Sequence, residues 1–229
     1  MEKVKGRAKE VSLEPTKIDI KKTNIFYLII KRLVDILGGL VGVIILLPMI
    51  PIVWLFRRKN KEDGPLFYDQ LRIGKKGRTF KLYKFRSMVI GADDALEKYL
   101  KENPEEAKQY KKFKKLENDP RITKTGKILR KTSLDEWPQF INILMGNMSL
   151  VGPRPYLPRE KEDMKDYYEY IIKAKPGLTG PWQIGGRSDV TFEDRMKIDI
   201  EYIQNKGLIT DFKILLKTFL KVFKKDGAK

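Results

Sequence analysis

The run from Ile36 to Phe56, ILGGLVGVIILLPMIPIVWLF, contains no charged residue and constrains this chain more than any other feature. As a straight helix it would be roughly 32 Å long, enough to cross a hydrocarbon core of about 30 Å. A chain carrying such a segment meets a membrane. It is not a cleavable signal, because a charged extension precedes it and no small-residue cleavage site follows. Lys21, Lys22, Lys31 and Arg32 flank it on one side and Arg57, Arg58, Lys59 and Lys61 on the other. The positive-inside tendency therefore places both ends in the cytoplasm. Pro48 and Pro51 lie near the middle, and the arm from Leu37 to Leu47 is roughly 16 Å long, about half the core depth. Two readings stand: a spanning helix kinked at Pro48, or a helix-break-helix that enters one leaflet and returns.

The rest of the chain carries a large positive excess, with a formal charge of +18 over 229 residues. That attracts an anionic partner, whether nucleic acid, lipid surface or phosphorylated substrate. The basic residues form no base-reading module and the membrane segment accounts for the charge, so nucleic acid is not an expected partner. The chain has no cysteine and no histidine. Disulfides and thiolate metal sites are excluded, and a nucleophile or proton acceptor near neutral pH must be a carboxylate, a hydroxyl or a lysine.

The organisation expected is a mobile N-terminal extension (1–23), a membrane helix (24–58) and a cytosolic domain (59–229), in a helix-rich α+β chain. PLFYDQLRIGKKGRTFKLYKFRSM reads as two β-runs joined at Gly74-Lys75-Lys76-Gly77, a hairpin carrying Lys81, Lys84 and Arg86. Asp93 to Leu116 reads as a charged helical hairpin interrupted at Pro104. FINILMGNMSL suits a buried helix, GPRPYLP a rigid loop, and PGLTGPWQIGGR a glycine-rich loop with Trp182 and Arg187. Near the C-terminus, Phe212, Leu215, Leu216, Phe219, Leu220 and Phe223 recur at helical spacing opposite Lys213, Lys217, Lys221, Lys224 and Lys225. That is the pattern of an amphipathic helix in the headgroup region, or of a core helix with a solvated lysine face.

The acidic pair Asp135-Glu136 sits in KTSLDEWPQF. Locally, Ser133 to Glu136 fits a capping box, with Pro138 disturbing its register. A helix starting at Asp135 instead would put Pro138 in its first turn. Either register places both acids at a helix N-terminus, where the dipole favours their ionised form and also welcomes phosphate. Arg130 precedes the pair, Arg154 is held between two prolines and Arg187 closes the glycine-rich loop. Arginine forks match the oxygens of a diphosphate, and Mg²⁺ binds one or two carboxylates together with substrate phosphates. The set suggests phosphoryl-type transfer at a membrane surface, in competition with a plain helix cap in a non-catalytic membrane-surface scaffold.

NDPRITKTGKILRKTSLDEWPQFINILMGNMSLVGPRP, followed by KPGLTGPWQIGGR and preceded by KLYKFRSM, resembles the bacterial sugar transferase family of monotopic phosphoglycosyl transferases from about Tyr27 to the C-terminus. GPRPYLPREKEDM and DFKILLKT look most like its undecaprenyl-phosphate galactose phosphotransferases. The resemblance implies transfer of a sugar-1-phosphate from a UDP-sugar, galactose before others, to undecaprenyl phosphate on the cytoplasmic face of the bacterial inner membrane. That reaction is a first membrane step of O-antigen, capsule or exopolysaccharide synthesis. It implies Asp135 as nucleophile and Mg²⁺ ligand, Glu136 as its partner, and Arg130, Arg154, Arg187 and Lys84 as substrate-binding cations. It also implies a re-entrant helix broken at Pro48 and contact with one lipid leaflet; whether the chain forms a homodimer is left open by the sequence. Some members carry Ser-Pro at the break where this chain has Leu47-Pro48. Without the N-terminal spanning helices of larger members, the chain reads as close to a minimal catalytic unit.

Overall fold

The computed structural model describes residues 23–113, 116, 118–185 and 190–223; the expected extension, but for Thr23, lies outside them. The apolar run sits in one helix, α1 (Ile25–Lys59). The Asn24 side chain caps its start by accepting from Phe26 N at 2.8 Å, and Arg57, Arg58 and Lys59 occupy the last turn, where the helix dipole favours cations. At Pro48, where a break is expected, helical structure is continuous: α1 runs through Pro48 and Pro51 as one element. A proline's fixed φ is itself helical, and its cost is a lost hydrogen bond and a clash one turn back. Here the helix is held on both sides of the prolines by a single folded body. Before them, Gly42 abuts the Phe140 ring; around and after them, Leu46, Met49, Ile50 and Val53 pack with Phe85 and Leu129.

Both ends of α1 are tied to that same body. Tyr27 donates to Asp211 Oδ2 at 3.0 Å, Arg32 donates to the carbonyls of Ile143 and Leu144, and Asp35 accepts from Ser149 Oγ and Leu150 N. At the other end, Arg57 donates to the carbonyls of Asp63 and Arg86. The outward side of α1 stays apolar and uncovered, with Ile25 74% and Ile44 65% exposed.

Strands β1 (Phe67–Ile73) and β2 (Thr79–Phe85) form the expected antiparallel hairpin, in register from Phe67↔Phe85 to Ile73↔Thr79. The tip bends through Gly74 and a single 3-10 turn, with Lys76 and Gly77 at positive φ. Helices α2 (Ala92–Glu102) and α3 (Pro104–Phe113) make the charged helical hairpin, with Pro104 opening α3, where its missing N–H costs nothing. Next come α4 (Lys124–Lys131), capped by Thr123 Oγ1 accepting from Gly126 N, and the short α5 (Gln139–Leu144). The buried Asn142 joins α5 to the edge of β2: its amide donates to Lys81 O at 2.7 Å and accepts from Tyr83 N at 3.0 Å, standing in for a missing strand.

FINILMGNMSL is helix only in its first part; its end is β3 (Ser149–Val151), parallel to β4 (Gly177–Thr179). Between these strands lie α6 (Lys161–Met164) and α7 (Tyr168–Ile171). After them come α8 (Pro181–Gly185), α9 (Phe192–Asn205) and α10 (Leu208–Phe223). Tyr156, Met164, Ile171, Phe192, Met196 and Ile200 form one core against α9, and Leu82, Ile143 and Met148 another beneath the hairpin. Among the described apolar residues of α10, Ile214 and Leu215 pack inward. Phe212, Leu216, Phe219 and Leu220 remain exposed, so the core-helix alternative fails for most of the described apolar face.

Candidate functional site

Asp135 and Glu136 lie in a single 3-10 turn, Leu134–Glu136, between α4 and α5. Neither expected helix register is present. Ser133 sits in the left-handed region (φ 56°, ψ 18°) and its side chain caps nothing, while α5 starts only at Gln139 with Pro138 before it. Pro138 has no N–H to give, so helical bonding cannot run back through it. The chain closes the turn with Trp137 N donating to Leu134 O instead. Leu134 and Trp137, the neighbours of the dyad, pack into the cluster containing Leu46 and Val53. The apolar helix is thus the floor on which the acidic turn rests.

Asp135 is buried and Glu136 half-buried. Lys84 Nζ donates to Glu136 Oε1 at 2.8 Å. Arg130, in the last turn of α4, donates through Nε to Ser87 Oγ at 3.0 Å. Burial pushes the Asp135 carboxyl above the usual carboxylate range; Lys84 pulls it back, Glu136 adds to the rise and Arg130 opposes it. The helix-dipole support expected for the acid is absent: desolvation is the largest influence on Asp135, and the field that opposes it comes from two cations. Nearby, Asp119 and Arg121 form a bidentate pair at 2.8 and 2.6 Å.

A second group of cations adjoins the dyad through Arg72, whose charge interacts with both Glu136 and Arg154. Arg72 and Lys84 share a face of the hairpin, since the cross-strand partner of Lys84 is Tyr68 and residues 68, 70 and 72 point the same way. Arg72 donates to Pro155 O at 2.9 Å and Gln70 Oε1 at 2.6 Å, and burial lowers its pKa to about 10. Arg154 is positioned from its backbone, N donating to Asp199 Oδ2 at 3.1 Å, and its guanidinium lies 5.4 Å from the Trp182 ring. Arg195 lies 5.0 Å from the same ring. Tyr156 also donates to Asp199 at 2.9 Å. Burial raises the Asp199 pKa to about 7 against those hydrogen bonds and both arginines. The Nε atoms of Arg72, Arg154 and Arg195 and the indole N–H of Trp182 are buried with no protein partner.

Of the residues expected at the site, Asp135, Glu136, Lys84 and Arg130 are brought together. Arg154 belongs to the adjoining arginine group, and Arg187 lies outside the described residues. Pro48 sits within the helix beneath, among residues packed under the dyad turn. Lys81 is a solvated strand cation, 3.2 Å from the exposed Asp69. Arg72, Ser87, Arg195 and Asp199 were not legible as site residues: Arg72 is one of several strand cations, and Arg195-Asp199 shows only an i,i+4 spacing within an ordinary helix. Two adjacent carboxylates flanked by cations are a donor set that Mg²⁺ accepts when substrate phosphates and water complete it. Among the described residues no three acids converge into a cage of protein ligands alone.

Residues 26–225 match the bacterial sugar transferase family. The chain is 43% identical over 199 residues to an undecaprenyl-phosphate galactose phosphotransferase of Salmonella typhimurium, covering 87% of this chain but 41% of that protein. It is 42% identical over 188 residues to the exopolysaccharide production protein ExoY of Sinorhizobium fredii, covering 82% and 83% of the two. Over 208 residues it is 36% identical to the UDP-glucose:undecaprenyl-phosphate glucose-1-phosphate transferase of Escherichia coli, covering 87% of this chain and 41% of that one. The match takes in the acidic turn, its cations and the helix beneath them, and the chain belongs to the bacterial sugar transferase family.

Proposed function

We propose that this chain transfers a sugar-1-phosphate from a nucleoside diphosphate sugar, UDP-galactose before others, to undecaprenyl phosphate through a covalent intermediate on Asp135. The observation that carries the reading is a buried carboxylate held between Lys84-Glu136 and Arg130 on a turn seated directly on an apolar helix. A desolvated carboxylate is a better nucleophile than a hydrated one, provided cations keep it ionised as the diphosphate approaches.

In the first step an Asp135 carboxylate oxygen bonds to the sugar-bearing phosphorus. The bond from that phosphorus to the bridging oxygen breaks, and its electron pair leaves with the nucleoside monophosphate. In the second, a phosphate oxygen of the polyprenol attacks the same phosphorus and the carboxylate of Asp135 departs. Lys84 fixes Glu136 where it can accept a proton from the acceptor phosphate. Arg130 lies on the dyad side, and Arg154 and Arg72 on the adjoining side, to hold phosphate oxygens. Asp135, with Glu136 beside it, would hold Mg²⁺, which supplies neutralisation of the diphosphate charge.

The membrane reading follows from α1 and α10. Both ends of α1 bond to one folded body while its outer side is apolar, which supports a helix seated in one leaflet with the protein on a single side. The exposed Phe212, Leu216, Phe219 and Leu220 of α10 extend that surface. The flanking Lys and Arg residues favour the cytoplasmic face.

The test is incubation with UDP-sugars, Mg²⁺ and undecaprenyl phosphate, following UMP release and a phosphosugar adduct on the protein by mass spectrometry. Asp135→Asn is expected to lose both adduct and turnover, by at least about 10⁴-fold, while staying membrane-bound. Full turnover in that variant sinks the covalent mechanism.

A further inference from the structure

A second cavity, of about 250 Å³, lies between the first turns of α1, the hairpin tip, the segment after α7 and the α9–α10 junction. None of the chemistry above uses it. The hairpin separates it from the dyad: Lys75 is at the tip, whereas Lys84 is five residues along β2 from its start, about 17 Å away along the strand.

Its lining is cationic. Lys31 is neutralised by Asp211, and Arg32 caps the carbonyls ending α5. The lining carboxylate, Asp35, is engaged by Ser149 and Leu150. Lys75, Lys175 and Lys206 also line the cavity, and no acidic partner is paired with them among the described residues. Crowding is tight: Lys175 Nζ and Arg32 Nη2 lie 3.6 and 3.7 Å from the point where a Cβ on Gly146 would sit. Burial and the neighbouring cations lower the pKa of Lys175 and of Lys206, with Asp35 opposing at the first and Asp211 at the second. The cations here outnumber Asp35 and Asp211, both of which are already engaged by hydrogen bonds, so the excess positive charge favours an incoming anion. The cavity also borders Leu28, on the exposed apolar side of α1 with Ile25 and Ile29, which sets an apolar surface beside its cations.

We propose that this cavity binds a phosphate ester, the headgroup of an anionic phospholipid, at a site separate from the dyad. The lysine ammonium groups donate to the phosphate oxygens, and the acyl chains follow the outer side of α1.

The test uses the full chain in a neutral detergent and its thermal unfolding midpoint. Short-chain dihexanoylphosphatidylglycerol below its micellar concentration is expected to give a saturable rise of roughly 3–6 °C at ten times its dissociation constant. Dihexanoylphosphatidylcholine should give none. Lys75→Gln/Lys175→Gln/Lys206→Gln removes repulsion and leaves neutral polar side chains one bond shorter, so it should fold and lose the rise. Lys175→Gln alone should move the half-saturating concentration at least about fivefold upward. The rise should persist in Asp135→Asn, which separates this site from the transferase reading. An equal rise with inorganic phosphate, again lost in the triple variant, supports the anion site and assigns it to free phosphate. No rise with either anion, or an unchanged rise in the triple variant, overturns the proposal.

Discussion

Gly42 is the position where the membrane helix and the acidic turn are joined most tightly, and Gly42→Ala measures that coupling. A methyl there would lie 2.2, 2.3 and 2.5 Å from Cγ, Cδ1 and Cδ2 of Phe140. Carbon atoms rest about 3.5–4.0 Å apart, so ring or helix must retreat by more than about 1 Å. Rotating the ring does not help, because the closest atom is the one at its root. Phe140 is itself packed against Leu82, Ile143 and Met148 and lies 5.3 Å from the Trp137 ring. Overpacking of this kind costs about 1–3 kcal/mol, or roughly 2–12 °C in Tm for a chain of this size. Phe140 follows Glu136 by four residues, and a displacement of about 1 Å at a catalytic group costs roughly 10²-fold. The assay is UMP release beside thermal unfolding, with two comparisons. Gly39→Ala meets the movable end of Leu144 at 2.7 Å and should cost less; Gly207→Ala meets nothing within 4 Å and should cost nothing. If Gly42→Ala melts and turns over like the parent chain, the seam does not position the dyad and the reasoning is wrong.

Lys84→Met should barely change stability, by less than about 1 kcal/mol, because Glu136 in the lost pair is 41% exposed. It should still lower kcat/KM and move the acid limb of the activity profile to higher pH, since Lys84 holds the Asp135 carboxyl down. For Asp199 the folded pKa is raised from 3.8 to about 7, so its contribution to stability is fully present below pH 3.8 and is lost as pH rises through 7. The stability advantage of Asp199→Asn over the parent, followed by unfolding at each pH, should therefore grow between these values and level off above, at no more than about 4 kcal/mol; a pH-independent difference contradicts the burial described. Phe212→Ser/Phe219→Ser should weaken binding to lipid vesicles without lowering Tm, because both rings are exposed; unchanged flotation would remove α10 from the membrane surface.

Much of this architecture is written in local pattern. The apolar run forms α1, the glycine-bounded KKG forms a hairpin tip, and Pro104 divides two charged helices, because each depends on the propensities and hydropathy of adjacent residues. Asp135 and Glu136 were legible because carboxylates in a chain without histidine or cysteine stand out against their basic surroundings. The same local rules misplaced the capping box. A capping box is outcompeted when a proline five residues after Ser133 has no N–H to give to the helix that would follow, and helical structure continues through Pro48 where one body packs along both arms of the helix.

The sequence by itself determined which segments are apolar, which are helical, and which residues have the chemistry to hold or attack a phosphate. Only the tertiary structure decided which of those residues meet. Lys84 and Glu136 are 52 positions apart, Arg130 and Ser87 are 43 apart, and Asp199 orients Arg154 from a different helix. Burial, which sets the proton affinity of Asp135 and Asp199, is likewise a property of the assembled layers. Desolvation is the sum over everything packed around a group, and no stretch of chain carries that sum alone.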